Sequence, residues 1–383
     1  MRSVYLDNAA TSYPKPEEVY RAVEGFMRRN GASSGRGGYA RAAEADELVA
    51  ATRRSLARLF GFGDPGRVVF THNATEALNL AIAGLVEPGD RVVTTSMEHN
   101  AVWRCLRALE MDGVIEVEVV PCSGDGTLPL DRLEEALESE TRLLVLVHAS
   151  NVTGTIMPAA EAARLAAERG VVFLLDAAQT AGSLPVDVER SGIDLLAFPG
   201  HKGLLGPPGT GGLFVREGLQ LRPRKWGGTG HAARPDTMPE FLPDRHEAGT
   251  LNVPGLVGLG AAVDYLLGRG LEAIRAHEKD LGARALELLG QVPRVTLYGP
   301  RDPSARVGVV SFNVEGLEPG EVARRLDVDH GIMVRAGLHC APCACRTIGA
   351  EEHGTVRASF GPFNTDEDVE SLVDAVQAIA SGR

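Results

Sequence analysis

The chain lacks any apolar run long enough to cross a bilayer: residues 143–147 and 171–175 are its longest, against the roughly 20 a spanning helix needs. No membrane partner is therefore expected. Basic excess is missing as well. Lys and Arg number 39 against 51 Asp and Glu, a formal net charge of −12, so the average field repels phosphate backbones and nucleic acid is not an expected partner. The start shows no apolar signal core, because Asp7 interrupts the apolar residues. Cysteines number only 5, scattered and odd, which is no disulfide framework and points to a reduced, cytoplasmic setting. Three of them cluster, Cys340, Cys343 and Cys345, but no second Cys pair lies upstream, so no metal is expected. The glycines at 31, 35, 37 and 38 and at 206, 209, 211 and 212 do not give G-x-G-x-x-G between strand and helix, and no Walker A sequence occurs. Repeats and low-complexity tracts are absent. What is there is ordinary for a globular protein: 383 residues, 44% hydrophobic and 23% charged, enough for about two or three domains or one large α/β domain with an appendage.

Short β-type runs alternate with helical spacing over most of the length, which predicts an α/β fold with a mainly parallel sheet. Strands are expected at 67–70, 91–95, 114–120, 142–148, 171–176, 194–198 and 212–215, seven in all. Several are apolar throughout, as strands covered on both faces should be. Helices are expected at 75–85, 100–113, 130–139 and 158–169. From 216 to 255 Gly, Pro and Arg dominate and periodicity vanishes, which reads as a long functional loop. Helices at 257–267 and 271–289, strand 307–314, helix 318–330, strands 332–336 and 355–359 and helix 365–380 then make a smaller α+β domain. The expected division is a large domain, 16–255, and a small one, 1–15 plus 256–383.

Apolar strand 171–176 ends in Asp176. Ligands of open α/β sheets bind at the carboxyl ends of strands, so this carboxylate is either a ligand group or a turn cap. Strand 194–198 runs into Pro199-Gly200-His201-Lys202, which puts a Lys at the mouth of a second strand. A Lys there either loses solvation and forms Schiff bases or is an ordinary loop residue. Asn73-Ala74-Thr75-Glu76 opens a helix whose free N–H groups suit a phosphate. Glu98-His99-Asn100 follows another strand, and its imidazole could stack on a planar ring. Lys, Asp, helix N-terminus and stacking ring together are the parts that a pyridoxal phosphate enzyme needs.

In this order the motifs resemble the class V aminotransferase family of fold-type I pyridoxal phosphate enzymes, and within it the cysteine desulfurases and selenocysteine lyases. The matching pieces are Tyr5-Leu6-Asp7-Asn8-Ala9-Ala10-Thr11, Asn73 to Glu76, Glu98 to Asn100, His148-Ala149-Ser150-Asn151-Val152-Thr153-Gly154, Asp176-Ala177-Ala178-Gln179, Gly200 to Lys202, Glu247-Ala248-Gly249-Thr250 and Arg335-Ala336-Gly337-Leu338-His339-Cys340-Ala341-Pro342. They run from residue 5 to Phe363-Asn364, essentially the whole chain. The resemblance implies pyridoxal 5′-phosphate as cofactor, with Lys202 as its Schiff-base lysine and Asp176 as partner of the pyridine nitrogen. It further implies Gln179 on the phenolate oxygen and His99 over the ring. Ala74, Thr75 and His201 are implied on the phosphate, with Thr250 reaching it from a second subunit of a homodimer. Ala9, Asn151, Arg335 and Arg357 are implied around the substrate, Arg357 as the clamp on its α-carboxylate.

In the Arg-x-Gly-x-His-Cys-Ala form, similar to the second, Suf-type group of desulfurases, Cys340 is implied as the thiolate that takes sulfur from L-cysteine and releases L-alanine. Iron–sulfur cluster assembly or another sulfur-transfer pathway with a Suf-type protein acceptor would follow. Selenocysteine lyase, or a C–S lyase acting on a cysteine conjugate, is the alternative within the same family. Two features depart from the pattern. Pro199 stands where the family has Ser or Thr, which removes one phosphate contact. Cys343 and Cys345 beside Cys340 either pass sulfur along or are inert core thiols.

Overall fold

The computed structural model describes residues 3–137, 140–230 and 236–382. Strand β1 (Val4–Tyr5) leads into helices α1 (Glu17–Arg29) and α2 (Ala40–Phe60). Alternation then sets in: β2 (Val68–Thr71), α3 (Ala74–Leu85), β3 (Asp90–Thr95), α4 (Asn100–Met111), β4 (Ile115–Val120), α5 (Leu130–Ala136), β5 (Thr141–Val147) and α6 (Ala159–Glu168). Three strands follow without intervening helices, β6 (Val172–Asp176), β7 (Leu195–Pro199) and β8 (Gly211–Val215). The rest is α7 (Val253–Arg269), α8 (Leu271–Leu289), β9 (Val295–Tyr298), β10 (Val309–Val314), α9 (Pro319–His330), β11 (Ile332–Met333), β12 (Arg335–Gly337), α10 (Pro342–Thr347), β13 (Thr355–Ser359) and α11 (Asp366–Ala380).

The main sheet has seven strands in the order β2-β8-β7-β6-β5-β3-β4. Only β8 runs against its neighbours, so this is the mainly parallel α/β sheet that the sequence pattern predicts. Its central strands are apolar on both faces because both faces are covered. Phe173, Leu175, Leu196 and Phe198 point into a core shared with α2, α6 and α7. Val145, Leu174, Leu195 and Leu213 point into another with Leu78 and Ile82 of α3 and Leu106 of α4. A four-stranded antiparallel sheet, β12-β13-β10-β9, carries the smaller core, closed by Leu281 and Leu289 of α8, Leu326 of α9 and Leu372 of α11. Parallel pairing of β1 with β11 carries the N-terminal residues into this smaller body.

Several expectations shift. Helix α7 was expected to open the smaller domain, yet Leu256, Leu259, Val263 and Leu266 join the large core against α1 and α2. The single strand expected at 332–336 is two, because β11 pairs with β1 whereas β12 pairs with β13. The helix expected over 130–139 ends at Ala136, and residues 138 and 139 lie outside the described ones. Helices α1 and α2 carry no sequence expectation. α2 buries Ala42, Ala45, Val49, Thr52 and Leu56, a face too small and too mixed to stand out as an apolar stripe. Between β8 and α7 the described residues form neither helix nor strand, as the loss of periodicity there indicates.

Candidate active site

Parallel strands β6 and β7 end side by side, with Asp176 abreast of Ala197, so Asp176 and the Lys202 turn meet at the carboxyl edge of the sheet. Asp176 is 1% exposed and its Oδ1 accepts the Ala178 N–H at 2.9 Å. Burial pushes its carboxyl up, opposed by that N–H and by the Lys202 charge. Burial also lowers the Lys202 ammonium to about 8, with Asp176 pulling the other way. Both line a cleft of about 480 Å³ together with Asn73, Ala74, Thr75, His99, Asn151, Gln179, Pro199 and His201.

At one end of this cleft α3 begins. Asn73 caps it by accepting the Glu76 N–H at 2.9 Å, which leaves the first-turn N–H groups of Ala74 and Thr75 free for an anion. His201 borders the same end; burial lowers its imidazole to about 4, and its Nδ1 is buried with no hydrogen-bond partner among the described residues. Pro199 sits at the last position of β7, where the ladder to β6 has ended and no N–H is required.

His99 is the N-cap of α4: its Nδ1 accepts the Ala101 N–H at 3.0 Å, which assigns the ring proton to Nε2. Burial lowers it to about 4, so the ring is neutral and apolar faces can lie against it. Gln179 Nε2 donates to the Ala9 carbonyl at 3.1 Å, and Ala9 N–H donates to Ser359 Oγ at 2.9 Å, so the amide ties the N-terminal segment to the cleft wall.

Cys340 follows β12 on a turn where His339 and Cys340 both adopt positive φ, 52° and 58°. Such left-handed geometry is strained for non-glycine residues, by about 1–2 kcal/mol each, and holds only where other contacts impose it. Those contacts are visible. Asn100 N–H donates to the Cys340 carbonyl at 2.8 Å, Asn151 Nδ2 to the His339 carbonyl at 2.7 Å, and His339 Nε2 bonds the Thr355 carbonyl and hydroxyl at 3.0 and 2.9 Å. The Cys340 thiol is exposed, with Arg335 Nη2 3.2 Å from its sulfur. Arg357 is fully buried: Nη1 donates to the Asn151 carbonyl at 2.9 Å and Nη2 to Asp7 at 2.7 Å, while Nε has no partner among the described residues. Cys343 and Cys345 are buried on α10, and burial pushes both thiols up, Cys345 to about 11. That environment disfavours the thiolates a sulfur relay would need.

The fold thus brings Ala74, Thr75, His99, Asn151, Asp176, Gln179, His201 and Lys202 to one cleft. Ala9 lines a neighbouring cavity that also reaches Lys202, and Arg335 and Arg357 act on the Lys202 charge. Thr250 is not brought in: it is exposed and lines a different pocket with His72 and Lys225. Two contributors carry no role from sequence reasoning. Asp7 pairs with Arg357 although it lies inside a quoted motif, and Lys15 donates to Ser12 Oγ and the His201 carbonyl at 2.7 and 3.0 Å with no motif to mark it. The donor set fits pyridoxal phosphate. A buried acid, a buried amine, free helix N–H groups and an orphaned imidazole nitrogen match a pyridine nitrogen, an aldehyde and a phosphate.

The family model of the class-V aminotransferases matches residues 4–372. A probable cysteine desulfurase of Methanothermobacter thermautotrophicus is 36% identical, over 98% of this chain and 94% of its own length. A cysteine desulfurase of Salmonella gallinarum is 37% identical, over 98% of this chain and 93% of its own. Among solved structures, the apo cysteine desulfurase of Thermococcus onnurineus superposes with a TM-score of 0.93 at 35% identity, covering 100% of this chain and 95% of that one. The Escherichia coli cysteine desulfurase CsdA gives 0.88 at 30% identity, covering 99% and 95%. Sequence, sheet order and cleft agree, and the chain belongs to the class-V aminotransferase family.

Proposed function

We propose that the protein is a homodimeric, pyridoxal 5′-phosphate-dependent cysteine desulfurase that moves sulfur from L-cysteine to Cys340 and releases L-alanine. The observation that carries this reading is the convergence of Asp176 and Lys202 at the sheet edge with a thiol and two guanidinium groups from the smaller body. The bound cofactor supplies an electron sink for charge at the substrate Cα. Asp176 would hold its ring nitrogen, Gln179 its phenolate oxygen and His99 its ring face. Ala74, Thr75 and His201 would hold its phosphate. Lys202, lowered to about 8, would anchor it and is poised to move a proton near neutral pH. Arg357 takes the substrate carboxylate, with Asn151 and Ala9 shaping that end.

Cys340 then attacks the substrate sulfur. The new S–S bond forms as the bond from that sulfur to Cβ breaks, and the electron pair stays with the carbon skeleton, which takes up protons and leaves as alanine. Thiol plus cysteine becomes persulfide plus alanine, so no external oxidant or reductant enters. Arg335 holds negative charge on the Cys340 sulfur through the step.

The dimer reading rests on two features. Thr250 is exposed and lines a pocket other than the cleft of its own chain, and Tyr13, Tyr20 and Met27 leave a wide apolar groove beside Pro207 and Pro208 that a second copy would cover. Exposure of Cys340 suits delivery to a Suf-type protein acceptor in the cytoplasm, for iron–sulfur cluster assembly or related sulfur transfer.

The deciding experiment incubates the cofactor-loaded protein with L-cysteine and excess reductant. Alanine and sulfide in equal amounts are expected, with Cys340→Ala keeping the cofactor absorbance but losing sulfide, and Lys202→Ala losing both. Alanine from L-selenocysteine or a cysteine conjugate but not from L-cysteine would reassign the substrate.

A further inference from the structure

Glu98, the residue before His99, is 0% exposed. Its Oε1 accepts the Thr95 hydroxyl at 2.7 Å and the Val147 N–H at 3.1 Å, and Val147 lies abreast of Asp176 in the β5–β6 ladder. Its Oε2 is buried with no hydrogen-bond partner among the described residues, and the charge that bears most on the carboxyl is that of another acid, Asp176. Asp176 from β6, the Cys122 thiol beyond β4 and the Cys343 thiol on α10 all lie within electrostatic reach of it, and none of these three is a cation. A carboxylate left in that position would keep a desolvated charge beside a second acid, met by hydrogen bonds on one oxygen only.

We infer that Glu98 is a positioning residue held as a neutral acid, whose carboxyl ties the carboxyl ends of β3 and β5 together and sets His99 over the cleft without competing with Asp176 as the anion of the site. The inference rests on the cleft's being a pyridoxal phosphate site. Burial, which pushes the Glu98 carboxyl up to about 8, agrees with the geometry. Ionised, Glu98 would raise Asp176 further and weaken its hold on a pyridine nitrogen.

Glu98→Gln keeps an oxygen for Thr95 and Val147 and removes the titration; Glu98→Ala removes both. The first measurement needs no cofactor. From about pH 4.5 to about 8 the folded parent holds a proton that the unfolded chain releases, so Glu98 makes stability fall as pH rises through that window. In urea unfolding of the apoprotein, E98Q is therefore expected to gain on the parent steadily between pH 5 and pH 8, and a difference independent of pH overturns the neutral-acid assignment. The second measurement titrates pyridoxal phosphate into each protein. E98Q should bind within about twofold of the parent and E98A about tenfold more weakly, the effect of leaving two buried donors unmet. E98Q as weak as E98A, or E98A as tight as the parent, overturns the positioning role. If the parent itself takes up no pyridoxal phosphate, the cofactor reading is what fails, and the apoprotein measurement still decides the protonation state.

Discussion

The N–H of Asn100 donates a 2.8 Å hydrogen bond to the carbonyl of Cys340, so the first residue of the helix capped by His99 also pins the turn that carries the thiol. Helix N-termini leave such N–H groups unpaired, and this one is spent on the strained loop rather than on a ligand. The imidazole over the cleft and the sulfur at its mouth are therefore fixed by one short stretch of backbone. Movement at either should be felt at the other.

Arg335 stands 3.2 Å from the Cys340 sulfur. Replacing it with Ala removes a charge-assisted contact at an exposed site, for which about three- to tenfold is a reasonable loss. Alkylation of Cys340 by iodoacetamide at neutral pH should slow by that factor. An unchanged alkylation rate would remove Arg335 from thiol activation.

Asp7 and Arg357 form a pair in which the guanidinium is fully buried and the carboxylate 23% exposed. Asp7→Ala strands that cation and should cost about 3 kcal/mol in urea unfolding of the apoprotein. Adding Arg357→Met should recover part of the loss. A cost below about 0.5 kcal/mol would mean that the Asn151 carbonyl alone satisfies Arg357.

Pro199 offers no hydroxyl at the phosphate end of the cleft. Pro199→Ser adds one beside an anion and should tighten pyridoxal phosphate binding about tenfold by fluorescence titration. Equal affinity would show that the hydroxyl does not reach the phosphate.

Stability of the apoprotein should peak between about pH 6.5 and 7. His99, His148, His201 and His246 are lowered to about 4 and His339 to about 3 by burial, so the stability they confer is present above pH 6.5 and lost as pH falls toward 4. Glu278, raised to about 7, and Glu98, raised to about 8, act in the opposite sense and lose stability as pH rises from about 4.5. Five imidazoles outweigh two carboxyls below pH 6.5, and above it the carboxyls dominate until Lys202 and Lys15, lowered to about 8, begin to act in the opposite sense near pH 8. Urea midpoints from pH 4.5 to pH 8 test this, and a steady climb up to pH 8 would contradict it.

Much of the site is readable along the chain because its parts end strands or start helices. Asp176 closes an apolar run, Lys202 follows the next one, and Asn73 to Glu76 reads as a cap. The same rules give the main strands to within a residue or two. They do not find α2, whose buried face is made largely of small residues, nor the split of β11 from β12, which depends on partners far away in sequence.

What the sequence by itself determined is the inventory of chemistry and the order in which it is delivered to the sheet edge, since period and punctuation are local properties of a chain. Only the tertiary structure decided which of those groups meet. It set Asp7 against Arg357 across 350 residues, pinned Cys340 on Asn100, sank Glu98 beneath His99 and left Thr250 outside its own cleft. Burial and long-range packing made those choices, and neither is encoded in the pattern of any single segment.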